Sequence, residues 1–536
     1  MARGPTDVWN EWAPQILVVL SFTLQLILLL LARIRQHRGA SSLLTAVLKG
    51  VLWLAYQLAD STAIYAIGHL SLCDPQPGHQ LVPFWAPFLL LHLGGPDSIT
   101  AYSLEDTKLW LRHLVSVLVQ VSGAAYVLYK QFSGSQNSLR LAAVLMFVVG
   151  VVKYGERTWA LRCGNTETIR RSLKKEPRTK CYSYIKDKPH QRSFETEADE
   201  EEFLVCCAHT LFHICKYAVV DDSSDDSAGD IQTRDTTLVG ELNEEKLYVV
   251  MGIELSLMYD ILYTKASVIH TWIGYFIRVA SPVTITGSVI IFQFSGKYGQ
   301  NIVDIAITYV LLTGALLLEV ISLLRALGSS WTFPFLCAAR WNWLKHAALC
   351  SGKWHWFRHK IVSLRHLFKV TGINRYCTPS RRLSGSIEQY NMLYFCTRHC
   401  TSYSPLLGWL AKLLGQDDWW ETFHYSGTVK IPWEVKHDVF KYIKEIGRKD
   451  DVNTLGVIRK NWGEETLKLL SRKLVDSPST YLGAELQEGI IIWHIATELF
   501  LTRCKMQESQ GRRCSAHSGG YQGTIQLYDV PPSRPP

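Results

Sequence analysis

Seven long apolar segments alternate with polar stretches along the 536-residue chain. They lie at residues 14–32, 44–68, 81–94, 109–129, 141–159, 269–294 and 302–324. About 20 apolar residues in a helix cross the ~30 Å hydrocarbon core of a bilayer. The pattern therefore predicts an all-α fold, a polytopic membrane helix bundle of about seven spans. The third segment is the weakest, because it is short and contains Pro83 and Pro87. A re-entrant piece or a buried helix is the alternative there.

The first segment lies where a secretory signal peptide would lie, but its flanks differ from those of a signal peptide. Asp7 and Glu11 offset the charge of Arg3, and Arg33 and Arg35 follow where small residues would form a cleavage site. The apolar run is also longer than the usual signal-peptide core. We therefore predict an uncleaved first span.

Lysine and arginine cluster on one side of the predicted spans. Nine of them lie at residues 153–181 and eleven at 325–382, whereas residues 71–80 have none and the loop between the last two spans has only Lys297. Loops rich in Lys and Arg favour the cytosol. If all seven segments cross, every basic stretch falls on one side. The N-terminus is then predicted outside or lumenal and the C-terminus cytosolic.

The spans and the polar stretches divide the chain into six parts. These are residues 1–159 with spans one to five, 160–268 as a partly disordered cytosolic loop, 269–324 with spans six and seven, 325–384 as a basic and aromatic juxtamembrane segment, 385–505 as a cytosolic helical domain, and 506–536 as a disordered tail. Within the loop, the acidic runs 195–202 and 221–230 predict disorder. The apolar run 203–220 predicts a helix or a strand, and residues 242–265 predict a helix.

The composition is consistent with a membrane part joined to a soluble part. Charged residues make up 19% of the chain and hydrophobic residues 48%. These values exclude a disordered chain, a collagen-like fibre and a small disulfide scaffold. The net charge of +9 includes the basic clusters that set the orientation, so it does not indicate nucleic acid. The expected partners are the lipid bilayer and unidentified cytosolic proteins, with no nucleic acid.

Two clusters of cysteine and histidine are candidate metal sites, but their spacing is weak. The first contains Cys206, Cys207, His209, His213 and Cys215, and the second contains Cys396, His399 and Cys400. Neither has the paired spacing typical of zinc sites. We expect buried thiols and surface histidines instead, with no metal and no cofactor.

The chain has none of the common nucleotide-binding, serine-hydrolase or zinc-protease motifs. His494 and Glu498 lie one helical turn apart and could share a proton or a ligand, although such pairs are usually surface or capping pairs. We therefore expect no enzyme and assign no catalytic residue.

Three charged residues lie inside the apolar segments, where a charge is costly without a partner or a water path. They are Asp60 in the second segment, Arg278 in the sixth and Glu319 near the end of the seventh. One interpretation is a packing lock, with Asp60 and Arg278 as an interhelical pair. The alternative is an ion or proton pathway.

Several long motifs resemble a plant family of multi-pass membrane proteins that is defined by domain of unknown function 4220. They are LADSTAIYAIGHLS at 58–71, FWAPFLLLHLGGPDSITAYSLEDTKLWLRH at 84–113, KYGERTWALRCGN at 153–165 and WHIATEL at 493–499. The resemblance covers most of residues 8–505. It implies a plant origin and a membrane location, and it implies no activity.

The end of the chain departs from the family pattern. Family members often continue into a second domain of unknown function, number 594, whereas this chain becomes polar after residue 505 and ends VPPSRPP. The expectation is an alternative transcript end or a misdrawn gene model, so that this second domain is truncated or replaced.

The motif Gly94-Gly95-Pro96 predicts the end of the third helix, with Asp97 or Ser98 as a cap for the next helix. A tight turn between helices is the first interpretation of this loop, and a cytosolic ligand loop is the alternative.

Three functional hypotheses arise from these features. The first is a non-enzymatic membrane protein that recruits partners through its cytosolic helical domain. The second is a transporter or channel that uses Asp60, Arg278 and Glu319. The third is a membrane-embedded enzyme, for which the histidine and cysteine clusters are the only support.

Overall fold

The computed structural model shows an all-α bundle in the part of the chain that carries the apolar segments. It describes residues 5–36, 43–72, 79–131, 137–173, 197–220, 242–295, 300–338, 356, 386–390, 426–430, 433, 436–437, 440–441, 491–492, 494–500 and 502–503. The helices are α1 (Pro5–Leu31), α2 (Leu43–Leu72), α3 (Ala86–Gly94), α4 (Leu104–Lys108), α5 (Trp110–Gln131), α6 (Asn137–Cys163), α7 (Thr166–Leu173), α8 (Glu197–Val220), α9 (Glu244–Tyr263), α10 (Ala266–Ile269), α11 (Trp272–Phe294), α12 (Ile302–Leu327) and α13 (Thr332–Ala338).

Five helices are long and apolar enough to cross a membrane by length and composition. They are Trp12–Leu31, Trp110–Lys130, Asn137–Cys163, Trp272–Phe294 and Ile302–Leu327, and each coincides with a predicted span. Helix α2 has 30 residues but falls outside this group, because polar residues such as Gln57, Asp60 and Ser61 dilute its apolar sequence. The apolar helix at Val82–Gly94 is shorter. The count of seven spans therefore stays a prediction.

The third predicted segment lies inside the bundle. A 3-10 turn, Val82–Trp85, leads into α3, and the two together extend about 20 Å, less than the ~30 Å hydrocarbon core. Proline stands at the start of each piece, a position where its missing N–H costs nothing. Phe84, Trp85 and Phe88 are fully buried, and α3 packs against α1, α2, α5 and α6. The segment therefore forms a short helix that is buried among other helices of the bundle, and its crossing of the membrane stays a prediction.

Glycines allow α3 and α6 to approach closely. A Cβ at Gly150 would lie 2.8 Å from the carbonyl oxygen of Pro87, and one at Gly94 would lie 3.0 Å from the backbone of Lys153. Real Cβ atoms do not come as close to a backbone oxygen as 2.8 Å, so a larger side chain at Gly150 would force the two helices apart.

The outer faces of the long helices are apolar. Leu118 on α5, Phe276 and Val283 on α11 and Leu317 on α12 each leave 60% or more of the side chain exposed. In a soluble protein such large exposed patches would promote association, whereas in a membrane they face lipid. The apolar helices and this exposure indicate an integral membrane protein.

The segment predicted as a cytosolic loop, residues 160–268, contains α7, α8, α9 and α10. The predictions of ordered structure at 203–220 and of a helix at 242–265 are confirmed, since α8 and most of α9 cover them. The prediction of disorder was wrong for residues 197–202, because α8 begins at Glu197. Acidic residues in a first turn interact favourably with the helix dipole, so this run favours a helix start. The second acidic run, 221–230, lies outside the described residues.

The chain divides into two compact units, Met1–Val220 with Val250–Arg381, and Asp221–Val249 with Arg382–Pro536. In the second unit, β1 (Ser386–Tyr390) pairs antiparallel with β2 (Ser426–Lys430). These strands differ from the purely helical domain predicted at 385–505. Of the juxtamembrane segment 325–384, residues 325–338 and Trp356 are described, and the tail 506–536 lies outside the described residues.

Candidate functional site: a buried ion-pair network

Eight charged side chains of the bundle form ion pairs, and we call them the ion-pair network. Six of them are connected to one another, and Asp60 with Arg157 forms a separate pair. The members are Asp60 on α2, Asp97 after α3, Lys153, Glu156 and Arg157 on α6, Lys265 before α10, Arg278 on α11 and Glu319 on α12. The network contains all three of the intramembrane charges that the sequence singled out.

Arg278 lies at the centre of the network and is fully buried. Its Nη2 donates to Asp97 Oδ1 at 2.7 Å, and its Nη1 lies 2.9 Å from the carboxylate of Glu156. Ser322 on α12 donates a further hydrogen bond to Asp97. One guanidinium group thus joins α11 to α6 and to the loop after α3, through the separate donors that an arginine presents.

Lys153 connects α6 to α12. Its Nζ lies 2.7 Å from Glu319 Oε2 and 3.9 Å from Glu156 Oε2. All three side chains are buried. Glu319 therefore has a specific partner on a helix that lies far away in sequence.

Asp60 pairs with Arg157. Arg157 Nη1 lies 2.6 Å from Asp60 Oδ1 and also donates to the carbonyl oxygen of Leu93 at 2.8 Å. The predicted pair of Asp60 with Arg278 was wrong, because α6 supplies the arginine that faces α2. Asp60 is the most exposed member of the network, with 30% of its side chain accessible.

Lys265 brings the segment before α10 into the network. Its buried Nζ donates to the carbonyl oxygen of Gly95 at 2.9 Å and lies 3.7 Å from Asp97 and 3.9 Å from Glu156. Burial, which disfavours the charged amine, lowers the pKa of Lys265 to about 8. The charged form of Lys265 is therefore less favoured than that of an ordinary exposed lysine.

In contrast to Lys265, the surroundings of Asp97 favour its charged form. Burial alone would raise the pKa of Asp97, but the positive charges of Arg278, Lys153 and Lys265 and the hydrogen bond from Ser322 hold it below its ordinary value. Asp97 therefore stays ionised across the physiological pH range.

The backbone after α3 places Asp97 in the network. Helix α3 ends at Gly94, and Gly95 has φ +67°, a conformation that glycine adopts at little cost. The prediction that Asp97 or Ser98 caps the next helix was wrong. Ser103 precedes α4, and Asp106 accepts hydrogen bonds from the backbone N–H of Ser103 and of Tyr102.

The network is electrically balanced, with four cations and four anions. Its members lie on α2, α6, α11 and α12 and in the segments after α3 and before α10. Removing one partner of a buried ion pair typically costs about 3–5 kcal/mol, because the other charge is left uncompensated. The arrangement can therefore hold helices in one relative position.

A second buried polar cluster lies where α12 begins. Asp304 is fully buried. Its carboxylate accepts from Gln15 Nε2 at 3.1 Å and lies 2.7 Å from His79 Nδ1. One turn further along α12, Thr308 accepts a hydrogen bond from Trp85 Nε1 at 3.0 Å. These contacts join α1, the segment before α3 and α12.

The cysteine and histidine cluster at residues 206–215 does not form a recognisable metal centre in the described part of the chain. Within the described ranges no group of three or more His, Cys, Asp or Glu side chains is arranged to hold a metal ion. Cys206 and Cys207 are buried on α8, as expected for structural thiols. The cluster at 396–400 lies outside the described residues. His494 and Glu498 do lie in one helical stretch, 494–500, as their spacing predicted.

Five of the eight members of the network were not predicted from the sequence. Three of these, Lys153, Glu156 and Arg157, stand at positions i, i+3 and i+4 inside a predicted span, where they share one face of the helix. That spacing within an apolar segment was the available signal. Asp97 and Lys265 gave none, because each lies between helices, where a charge is unremarkable.

Comparison with known proteins gives one match. A family model described as Domain of unknown function (DUF4220) matches residues 53–395, which is more than half of the chain and contains the whole network. No curated protein and no solved structure matches the chain.

Proposed function

Because the chain belongs to the family described as Domain of unknown function (DUF4220), whose description states no activity, we propose a function from the geometry. The proposal is a non-enzymatic multi-pass membrane protein that recruits cytosolic proteins through residues 385–505. The observation that carries it is the balance of charge in the ion-pair network, where each buried charge is paired with a neighbour.

A balanced and buried network favours a membrane unit with a structural task. A transport pathway needs a charge that can lose its partner or meet water during the cycle. Arg278 and Glu156 are instead fully buried against each other, and separating them would leave two uncompensated charges. The membrane unit then acts as a fixed platform.

The second unit supplies the surface for recruitment in this proposal. It contains the β1–β2 pair, and Tyr248 packs edge-on against Phe440 with ring centroids 5.8 Å apart. Lys436 lies over the ring of Tyr248 at 4.3 Å, and His437 lies 2.7 Å from Glu244. A unit with its own internal contacts, separate from the membrane unit, is consistent with a module that binds proteins.

The proposal extends to the orientation of the chain in the membrane. With seven spans, the N-terminus lies outside or in a lumen and the C-terminus in the cytosol, because the basic loops then share one face. The plant origin implied by the resemblance belongs to the proposal as well.

Proximity labelling in plant cells tests recruitment and orientation together. A biotin ligase fused to the C-terminus should label a reproducible set of cytosolic proteins, whereas the same ligase fused to the N-terminus should not. A chain that ends after residue 384 and carries the ligase there should lose that set while reaching the same membrane. If the shortened chain labels the same neighbours, residues 385–505 do not recruit them.

Transport is the second candidate, and buried polar contacts away from the network favour it. Ser21 Oγ lies 2.9 Å from His92 Nδ1 in the interior of the bundle, and Asp304 is buried with Gln15 and His79. Reconstituted liposomes would show proton or ion flux that the variant Asp60→Asn abolishes at unchanged expression. Liposomes without such flux would remove this candidate.

A further inference from the structure

The first turn of α12 holds a fully buried carboxylate, that of Asp304. Its Oδ1 accepts a hydrogen bond from Gln15 Nε2 at 3.1 Å, and its Oδ2 lies 2.7 Å from Nδ1 of His79. In the part of the chain that the structure describes, His79 is the one basic side chain within 4.0 Å of Asp304. Among these contacts, the charge of Asp304 is therefore compensated only when His79 carries a proton.

A proton on His79 changes the kind of contact that it makes with Asp304. Burying a carboxylate without a cation is costly. The amide of Gln15 is neutral, and the helix dipole at the start of α12 offsets only a small part of that cost. A neutral imidazole gives Asp304 a hydrogen bond, whereas an imidazolium ion adds the attraction of opposite charges, which is strong in an interior of low dielectric constant. The protonated form of His79 therefore makes the stronger contact.

Protons reach this contact through His79. The accessible fraction of its side chain is 22%, whereas that of Asp304 is 0%. The elements that meet here are the start of α1, the segment before α3 and the start of α12, which contribute residues 12–18, 79–82 and 300–305. Among the side chains of these described residues, His79 and Asp304 are the ones that titrate. A change of pH therefore acts on this contact through the exposed ring of His79.

The contact fastens the segment that leads into α3. The N–H group of Val82 donates to the carbonyl oxygen of His79 at 3.2 Å, at the start of the 3-10 turn before α3. At the end of this turn, Trp85 Nε1 donates to Thr308 Oγ1 at 3.0 Å, one helical turn beyond Asp304. His79 and Trp85 thus hold the segment at two points on α12. When the contact at His79 weakens, Trp85 is the remaining one of these two points.

We propose that His79 and Asp304 form a pH-sensitive contact, which holds the segment before α3 against α12 more firmly when His79 is protonated. A histidine side chain changes its charge between about pH 5 and 8. The ion pair therefore exists at the acidic end of this range, and its contribution to stability is lost as the pH rises. In the proposed orientation, α12 begins outside the membrane or in a lumen, so the pH of that compartment acts on the contact. The contact itself does not depend on the orientation.

Thermal unfolding of the purified full chain in detergent, at about pH 5.5 and about pH 8, tests the contact. The variant His79→Gln keeps a side-chain N–H group at this position but cannot take up a proton. The melting temperature of the unmodified chain should exceed that of His79→Gln by about 3 °C more at the acidic pH than at the alkaline pH. Other titrating groups are present in both chains, so their contributions cancel in this difference.

Two controls separate this pair from the other histidines and from a general effect of the substitution. His69, near the end of α2, faces the ring of Tyr65 with centroids 6.2 Å apart, and His69→Gln should have the pH dependence of the unmodified chain. Asp304→Asn removes the carboxylate charge at nearly the same shape. In the Asp304→Asn chain, adding His79→Gln should change the melting temperature by the same amount at both pH values.

Two outcomes would overturn the proposal. If the unmodified chain exceeds His79→Gln by the same number of degrees at both pH values, the charge of His79 does not strengthen the contact. If the pH-dependent difference persists in the Asp304→Asn chain, His79 acts on a group other than Asp304. Should His79→Gln fail to fold, the unmodified chain is compared with Asp304→Asn alone, and its advantage should again be larger at the acidic pH.

Discussion

Replacing Lys153 with methionine should destabilise the bundle more than any single change at an exposed ion pair. The Nζ of Lys153 lies 2.7 Å from Glu319 Oε2, and both side chains are buried. Methionine keeps the length and the apolar stem of lysine but removes the charge. Glu319 would then remain in the interior without a cation at ion-pair distance, a loss of about 3–5 kcal/mol. At 2–4 °C per kilocalorie for a large domain, the melting temperature should fall by roughly 10 °C.

Replacing the partner, Glu319, with glutamine should reduce stability less. In Glu319→Gln, Lys153 keeps Glu156 at 3.9 Å, so its charge is not fully uncompensated. The double variant Lys153→Met/Glu319→Gln should recover part of the loss, because no unpaired charge then remains. The two single changes are therefore expected to be non-additive by about 1–3 kcal/mol, as for residues in direct contact.

The assay is thermal unfolding of the purified protein in detergent, followed by tryptophan fluorescence. The exposed pair Arg170–Glu167, with 40% and 59% of the side chains accessible, gives the matched control. Glu167→Gln should shift the midpoint by at most a few degrees, because exposed pairs contribute little. The variant is made at Glu167 because Arg170 also donates to the carbonyl oxygen of Val220. A loss below about 1 kcal/mol in Lys153→Met, or purely additive single changes, would refute the conclusion that this pair holds α6 to α12.

Further predictions concern packing, pH and the centre of the network. Gly150→Leu should lower the melting temperature by several degrees, because even its Cβ would meet the carbonyl oxygen of Pro87 at 2.8 Å, whereas Gly155→Leu should have little effect, since nothing lies within 4 Å of a Cβ there. Burial raises the pKa of Glu254 to about 8, so the folded state holds this proton more tightly than the unfolded state, and stability should fall as the pH rises from about 4.5 to 8. Glu254→Gln should flatten that fall in melting curves recorded from pH 5 to 9, and an unchanged slope would count against the burial of this carboxyl. Arg278→Lys keeps the charge but replaces the forked guanidinium group by a single amine. A melting temperature equal to that of the unmodified chain would show that the two separate contacts of Arg278 are not needed for stability.

The helices were predictable from the sequence because they follow from local composition. Apolar runs of the right length gave the positions of α1, α5, α6, α11 and α12, since each residue in a membrane helix satisfies its backbone hydrogen bonds within the helix. The acidic start of α8 was not predictable in this way, because a run of acidic residues is typical both of a solvated disordered segment and of a helix start, where it interacts favourably with the helix dipole.

The pairing of the charges was not predictable from the sequence in the same way. The sequence predicts a pair between Asp60 and Arg278, because each is the conspicuous charge of its apolar segment. Arg157 instead belongs to a stretch of basic residues near a membrane face. Which cation faces Asp60 depends on the rotation and depth of α6 relative to α2, and these follow from side-chain packing between helices. The placement of Asp97 depends on the positive φ of Gly95, which the sequence Gly-Gly-Pro permits but does not require.

The salt bridge between Lys153 and Glu319 also has a consequence for biosynthesis, because its two partners are synthesised at different times. More than 160 residues separate the two partners, and at 5–20 residues per second the ribosome needs on the order of 10 to 30 s to cover that distance. During this interval α6 is already made while α12 is not, so the carboxylate available to Lys153 within its own helix is that of Glu156, and Glu319 is still missing. A chain that stops before α12 never gains the pair of Lys153 with Glu319, and we expect quality control to degrade it faster than the complete protein.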